Sequence, residues 1–449
     1  MTLRIATFAL LAVACGDTPS AAVDGGAVDG GAADARTDAV DAGPDAASAC
    51  ATDARGTACV LALHDRARAG CAADDVAALT AALTARRGEL PLWADGVALF
   101  ASDAPVAVAG AWNQWATDAT VTSAVCGTDL FTATAAVPTG AWPYKVVAGS
   151  TWTLDPWNRG FAYDDFAGNA DGRNSMLDTP DSGVGHLVAW DTPLCSTALG
   201  NCRELLAYLP AGYHAPAAAS RRYPVAYLHD GQNVFDDHDC CFGHTGWEVN
   251  VTLDREIAAG RVAPVIVVAA EHGGAARNDE YGWSSTVGGA QEAFMRFQLD
   301  VVQPTAEAAW RIDPARRVVG GSSLGGLISM RLGLEHPGNY VGVASISGAF
   351  WPGQDTGTSL GDRLPSIGRV PVAIYLDHGG SAATGGDGFA DNQAVRDQLI
   401  GLGWRGATAP ACALAIDTLC YHHEPGATHD ELAWRDRAWR WLQFFFPPA

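Results

Sequence analysis

Residues 316–330 read Arg-Arg-Val-Val-Gly-Gly-Ser-Ser-Leu-Gly-Gly-Leu-Ile-Ser-Met, and no other stretch restricts the possible folds as much. The apolar pair Val318 and Val319 runs into Gly-x-Ser-x-Gly at Gly321, Ser323 and Gly325. Apolar residues at helical spacing follow at Leu324, Leu327, Ile328 and Leu332. Strand, sharp turn and helix in that order form the frame of a nucleophile elbow. The serine stands in a strained turn, and glycines two positions before and after it remove side chains that would collide there. Ser323 is therefore the candidate nucleophile. The chain holds 51 glycines and supplies a second match at Gly357, Ser359 and Gly361. Trp351, Pro352 and Gly353 precede that match, and Asp362, Arg363, Leu364 and Pro365 follow it. The pattern predicts no entering strand and no useful helix, so Ser359 is set aside.

At 449 residues the chain has length for two or three domains. Its net charge of -22 argues against nucleic acid or an anionic membrane as electrostatic partners and favours neutral ligands. Residues 1–15 read as an export signal: Arg4 leads an apolar stretch, residues 5–14, too short to span a bilayer. Leu-Ala-Val-Ala-Cys at 11–15 resembles a loose bacterial lipobox, whose cysteine becomes lipid-modified. Of the 11 cysteines, removal of Cys15 leaves an even set suited to pairing in an oxidising compartment. The expected protein is exported, either lipid-anchored through Cys15 at the bacterial envelope or surface or plainly secreted, and it meets the membrane through that lipid alone. Residues 16–48 are almost entirely Ala, Asp, Gly and Val, and read as a disordered tether. Residues 49–89 form a small helical segment in which Cys50, Cys59 and Cys71 suggest an internal staple. His64 lies near two of them, but export favours disulfides over a metal site.

Residues 90–180 change to short alternating strands, around 96–100, 106–110, 130–134 and 142–147, which predicts an antiparallel β-sandwich. The segments Gly-Ala-Trp-Asn-Gln-Trp at 110–115, Tyr-Lys at 144–145, Trp152, Asp155-Pro156 and residues 174–177 resemble early-set sandwich domains of the glycogen-binding type. That resemblance implies sugar contacts at Trp115, Lys145, Trp152 and Asn174. The chemistry is apt, because aromatic faces stack on sugar rings while an ammonium and a carboxamide reach hydroxyls. In members that bind no glycan the same tryptophans pack between domains.

In residues 185–449 strand and helix signals alternate, which predicts a mostly parallel sheet flanked by helices, an α/β-hydrolase architecture. One long helix is expected over about 291–310. Ala-Tyr-Leu-Pro at 207–210, Leu-His-Asp-Gly-Gln-Asn-Val-Phe at 228–235, Arg-Asn-Asp-Glu-Tyr at 277–281, the glycine-rich elbow, Ser-Gly-Ala-Phe-Trp at 347–351 and Ala-Thr-His-Asp at 427–430 together resemble the esterase family. That family groups esterase D, feruloyl esterases, enterochelin esterases and mycolyltransferases. The resemblance implies a serine ester hydrolase that needs no cofactor.

A serine hydroxyl needs a histidine to take its proton, and that histidine needs a carboxylate to fix its tautomer; in this fold they follow in the order serine, acid, histidine. His429, just before the last helix, lies where the family has its base; His422 and His423 are the rivals beside a predicted strand. Asp387 is the better match for the acid, ahead of Asp391, which is expected to cap a helix, and Asp377, at a strand end where the family has a structural aspartate. The amide of Leu324 and that of Gln232, or of Gly231, are expected to form the oxyanion hole, while His229 and Asp230 shape the second loop. The acidic run from Asp236 to His244 is read as solvated and not as a metal site. Cys195 with Cys202, and Cys412 with Cys420, are the expected local disulfides. The expected substrate is an ester, such as an acetyl or feruloyl group on a carbohydrate or plant polymer. A siderophore ester, acyl transfer, or an inactive glycan-binding surface protein remain as alternatives.

Overall fold

The computed structural model describes residues 56–164, 166, 172–235, 245–282 and 290–448. Cys15, the 16–48 tether, Cys50 and the run from Asp236 to His244 lie outside them. The first two helices among the described residues, Thr57–Gly70 and Ala73–Thr84, bury Val60, Leu63 and Ala67 together with Leu79 and Leu83. The sequence suggested that the cysteines here staple the segment to itself. Cys71 instead bonds Cys126, 55 positions on, and ties the helical pair to the strands that follow. His64 Nε2 hydrogen-bonds Thr132 Oγ1 at 3.0 Å, which occupies it locally.

The strand Val97–Ser102 is apolar on both faces, and the structure explains why. Leu99 and Ala101 pack against the helical pair, whereas Ala98 and Phe100 pack against Val108, Tyr144 and Leu177 of a second sheet. A strand covered on both sides loses the usual alternation of apolar and polar residues. The order in its four-stranded sheet is Leu92–Ala94, Val97–Ser102, Phe131–Ala136 and Ser123–Ala124.

The facing sheet does not stop at the sandwich. Ala107–Gly110, Ala141–Ala148, Arg173–Asp178 and Gly160–Tyr163 run antiparallel, and His186–Ala189 then pairs with both Gly160–Tyr163 and Leu205–Leu209. The result is one 14-stranded sheet. Beyond Leu205–Leu209 it becomes parallel, in the order Ile266–Ala270, Tyr223–Leu228, Ile312–Ser322, Gly342–Ile346, Ala373–His378, Thr418–His423 and Arg405–Thr408. Its central strands are buried throughout, because helices cover both faces. Leu324–Glu335 packs on one face, and Val249–Ala258 with Glu431–Phe445 on the other.

The helix predicted over 291–310 runs as Gln291–Phe297, a π-helical stretch Gln298–Val302, and Gln303–Ala309. Pro304 has no N–H to return to the preceding turn, and the helix widens immediately before it.

Candidate active site

The elbow is built as its sequence requires. The strand Ile312–Ser322 brings Gly321 and Ser322 into register with Ser345 and Ile346, and the helix Leu324–Glu335 begins one residue later. Between them Ser323 adopts φ 56° and ψ -124°. A residue with a β-carbon held there carries strain on the order of 1–3 kcal/mol. The Ser323 N–H donates to Ile346 O at 3.0 Å, and Ser323 O accepts from the Ala349 N–H at 2.9 Å, so both sides of the bend are fixed by the next strand and its loop. A β-carbon on Gly321 would lie 2.8 Å from the Gly325 carbonyl carbon, and one on Gly325 would lie 3.1 Å from Asp230 Oδ2. The second serine match, Ser359, is an N-cap. The structure corrects one reason for setting it aside, because the helix Leu360–Ile367 does leave it, despite Pro365. Ser359 Oγ and the Asp362 carboxylate form a capping box, which offsets the hydrogen bond that the proline cannot make.

Ser323 Oγ lies 2.9 Å from His429 Nε2, and His429 Nδ1 lies 2.6 Å from Asp387 Oδ1. With Nδ1–H donating to the carboxylate, Nε2 is left as the acceptor of the serine proton. His429 sits in the loop before Glu431–Phe445, where Asp430 caps the helix by accepting from the Ala433 N–H at 2.9 Å. Asp387 comes from the long loop after Ala373–His378. Backbone hydrogen bonds join that loop to the histidine loop: Gly380 N–H to Ala427 O at 3.0 Å, Gly426 N–H to Gly380 O at 3.2 Å, and Glu424 N–H to His378 O at 3.0 Å. The extra residues fold back on themselves through a Ser381–Gly385 bridge and leave Asp387, at φ 42°, facing His429.

The other acidic candidates lie elsewhere. Asp377 is fully buried, accepts from Tyr375 OH at 3.0 Å and pairs with Arg437. Asp391 accepts from Gln354 Nε2 at 2.9 Å in an exposed position. It does not cap its helix as expected; Gly388 takes that place, in the left-handed region that glycine enters without cost. Of the rival histidines, His422 pairs with Glu424 at 2.9 Å, and His423 stacks on His378 with Nε2 3.0 Å from Gly380 O.

Leu324 is the first residue of its helix, so its N–H has no partner within that helix. Gln232 lies in the short helix Gly231–Val234, entered through Asp230 at φ 60°. Arg277 holds the Asp230 carboxylate in a two-point pair at 2.6 and 2.8 Å. Gly231 has no room for a side chain, since a β-carbon would lie 2.8 Å from Ala269 O. Asn233 Nδ2 donates to Glu431 Oε1 at 3.0 Å, which ties this loop to the helix that follows His429. His229 is buried against Phe294 and Tyr281, and burial pushes its pKa down to about 4.

Sequence reasoning missed the groups behind Asp387. Ser347 Oγ donates to Asp387 Oδ2 at 2.7 Å and accepts from Trp434 Nε1 at 3.0 Å and from Arg437. The Trp434 ring also meets the His429 ring edge to face, at 5.1 Å. A lone arginine in an otherwise apolar stripe of the last helix was the available signal. In the sandwich, Trp115 and Trp152 are 37 % and 43 % exposed and neighbour each other at 6.3 Å. Lys145 and Asn174 are buried, and the Asn174 amide donates to Asp164 at 2.9 Å.

Residues 196–393 match the family model Esterase, described as "Putative esterase". This part of the chain is similar to the esterase family. The protein is a carboxylic ester hydrolase. The esterase is 25 % identical over 244 residues to the uncharacterized protein YbbA of Bacillus subtilis, covering 50 % of this chain and 87 % of that one. Among solved structures it is similar to a ferulic acid esterase, at 18 % identity and TM-score 0.44, over 59 % of this chain and 98 % of the other. It is also similar to the ferric enterobactin esterase of Salmonella typhimurium, at 18 % identity and TM-score 0.43, over 79 % and 94 %. The esterase carries the two expected disulfides, Cys195–Cys202 and Cys412–Cys420. Among the described residues no helix is long and apolar enough to cross a membrane.

Proposed function

We propose that this carboxylic ester hydrolase is an exported serine esterase with Ser323 as nucleophile, His429 as base and Asp387 as acid. The observation that supports it is the unbroken chain of contacts from Ser323 Oγ through the imidazole to Asp387 Oδ1, at 2.9 and 2.6 Å. His429 Nε2 takes the hydroxyl proton as Oγ attacks the ester carbonyl, and Asp387 stabilises the imidazolium that forms. The amides of Leu324 and Gln232 receive the developing oxyanion. The tetrahedral intermediate collapses, the imidazolium gives its proton to the departing alkoxide, and an acyl-serine remains. Water, deprotonated by His429, then releases the acid and restores the hydroxyl.

The substrate we favour is an acyl ester on a carbohydrate or plant polymer. The neighbouring exposed rings of Trp115 and Trp152 support it, as they offer apolar faces to sugar rings. Export is supported by the disulfides and by the signal-like residues 1–15, with Cys15 as the site of a lipid anchor. Hydrolysis of a short-chain nitrophenyl ester tests the nucleophile: Ser323→Ala is expected to abolish turnover, and retention of the parent rate rejects the assignment. A panel of acetylated, feruloylated and catecholate esters identifies the acyl group. Equal retention of parent, Trp115→Ala and Trp152→Ala on insoluble polysaccharide removes the glycan reading.

A further inference from the structure

The helix Glu431–Phe445 carries a cation into the protein interior behind the site. Arg437 is 2 % exposed, on a helix face that otherwise buries Trp434, Ala438, Trp441 and Leu442. A guanidinium there must be neutralised. Its Nε lies 3.1 Å from Asp377 Oδ1 and one Nη lies 3.6 Å from Asp387 Oδ2, while an Nη–H donates to Ser347 Oγ. Ser347 Oγ–H in turn donates to the same Asp387 Oδ2, at 2.7 Å. One cation thus stands between two buried carboxylates, of which Asp387 touches His429. Together the three groups carry a single negative charge, which the imidazolium balances when it forms.

Resting on the Ser323–His429–Asp387 reading, we propose that Arg437 is a positioning residue. Acting directly and through Ser347, it offsets part of the Asp387 charge and keeps the carboxylate turned toward His429, and so sets the pH below which the imidazole stops accepting the serine proton. The two carboxylates hold the guanidinium in its charged form against the opposing effect of burial. Of the other charged or titratable groups facing this cluster, Tyr375 bonds into it and the rest are committed elsewhere. Tyr375 OH donates to Asp377, and Glu424 pairs with His422 at 2.9 Å and with Arg440 at 3.4 Å. His378, on the same strand as Asp377, is kept neutral mainly by burial and bonds Gly379 O and Tyr421 OH. An arginine that served only to fill the core would affect folding and leave the pH profile alone.

The test measures kcat/KM from pH 5 to 9 on the full chain for the parent, Arg437→Lys, Arg437→Met, Ser347→Ala and the double variant Asp377→Asn/Arg437→Met, with near-UV circular dichroism as the check of fold. Loss of the cation lets Asp387 hold the imidazolium more tightly. Arg437→Met should therefore move the acid limb upward by about one pH unit, which lowers the rate at pH 6 by a factor approaching about ten. Arg437→Lys should stay within about half a unit of the parent. The double variant restores the net charge and should bring the limb back toward the parent. If Arg437→Met does not fold, Ser347→Ala and the double variant decide: Ser347→Ala should move the limb the same way by about half a unit. A limb that stays put in the folded variants overturns the proposal, as does a double variant no better than Arg437→Met. Activity surviving Ser323→Ala strikes the underlying triad instead, so the two failures are separable.

Discussion

Replacing Asp387 by Asn removes one charge and leaves the shape of the side chain. The imidazolium nitrogen and the carboxylate oxygen are 2.6 Å apart. At an effective dielectric constant of about 20 that separation corresponds to about 6 kcal/mol. His429 is 39 % exposed at its side chain while Asp387 is fully covered, so solvent screens part of the interaction. Taking half leaves about 3 kcal/mol, or a factor of about 10² in rate. Asparagine also has no charge with which to select the Nδ1–H tautomer, a defect that raises the loss toward about 10⁴ in the serine-protease template. The expected result is a fall in kcat between these bounds on a nitrophenyl ester at pH 7.5, with KM little changed. Asp391→Asn should stay within about twofold, since Asp391 bonds Gln354 and not the histidine. A folded Asp387→Asn enzyme that loses less than tenfold in kcat refutes the reasoning.

Other consequences follow from the same geometry. Gly379→Ala would set a β-carbon 2.2 Å from Ala427 O, prising apart the acid and histidine loops; kcat should fall at least about tenfold and stability by about 1–3 kcal/mol, read by thermal melting. Arg203 and Glu280 form a pair in which both side chains are 1 % exposed, so Glu280→Gln should cost about 3–5 kcal/mol in denaturant unfolding by leaving an unpaired buried charge. Burial, helped by the charge of Asp254, raises the Asp178 carboxyl to about 7. The native state therefore binds this proton more tightly than the unfolded chain, and the stability associated with it declines as pH rises from about 4 to about 7. Asp178→Asn should flatten the melting temperature over that interval; an unchanged slope contradicts the assignment.

Local chemistry accounts for what could be read without coordinates. A strand, sharp turn and helix form a short-range device, and the glycines, the serine and the apolar spacing that define it lie within a dozen positions, so the strained turn at Ser323 could be picked out. Its decoy, Ser359, was set aside partly for a wrong reason. Pro365 was read as blocking a helix, but in the structure its missing N–H costs one bond of a helix already started by the Ser359–Asp362 box. Cys71 was read with its neighbours in sequence, while its partner, Cys126, lies 55 residues on.

Asp387 shows the boundary most clearly. Position after the predicted strand at 372–376 left three candidate aspartates, because a loop of glycine, serine, alanine and threonine does not encode its own path. Three backbone hydrogen bonds to the histidine loop fix that path, and only then does Asp387 meet His429 while Asp377 turns to Arg437. The sequence by itself thus determined the alternation of strand and helix, the strained serine and the paired local cysteines, since each depends on residues close along the chain. The tertiary structure alone decided which carboxylate reaches the imidazole, which cation lies behind it, and that one sheet runs from the antiparallel strands that begin at Ala107–Gly110 into the parallel strands around Ile312–Ser322, since those contacts join segments that chain order keeps apart.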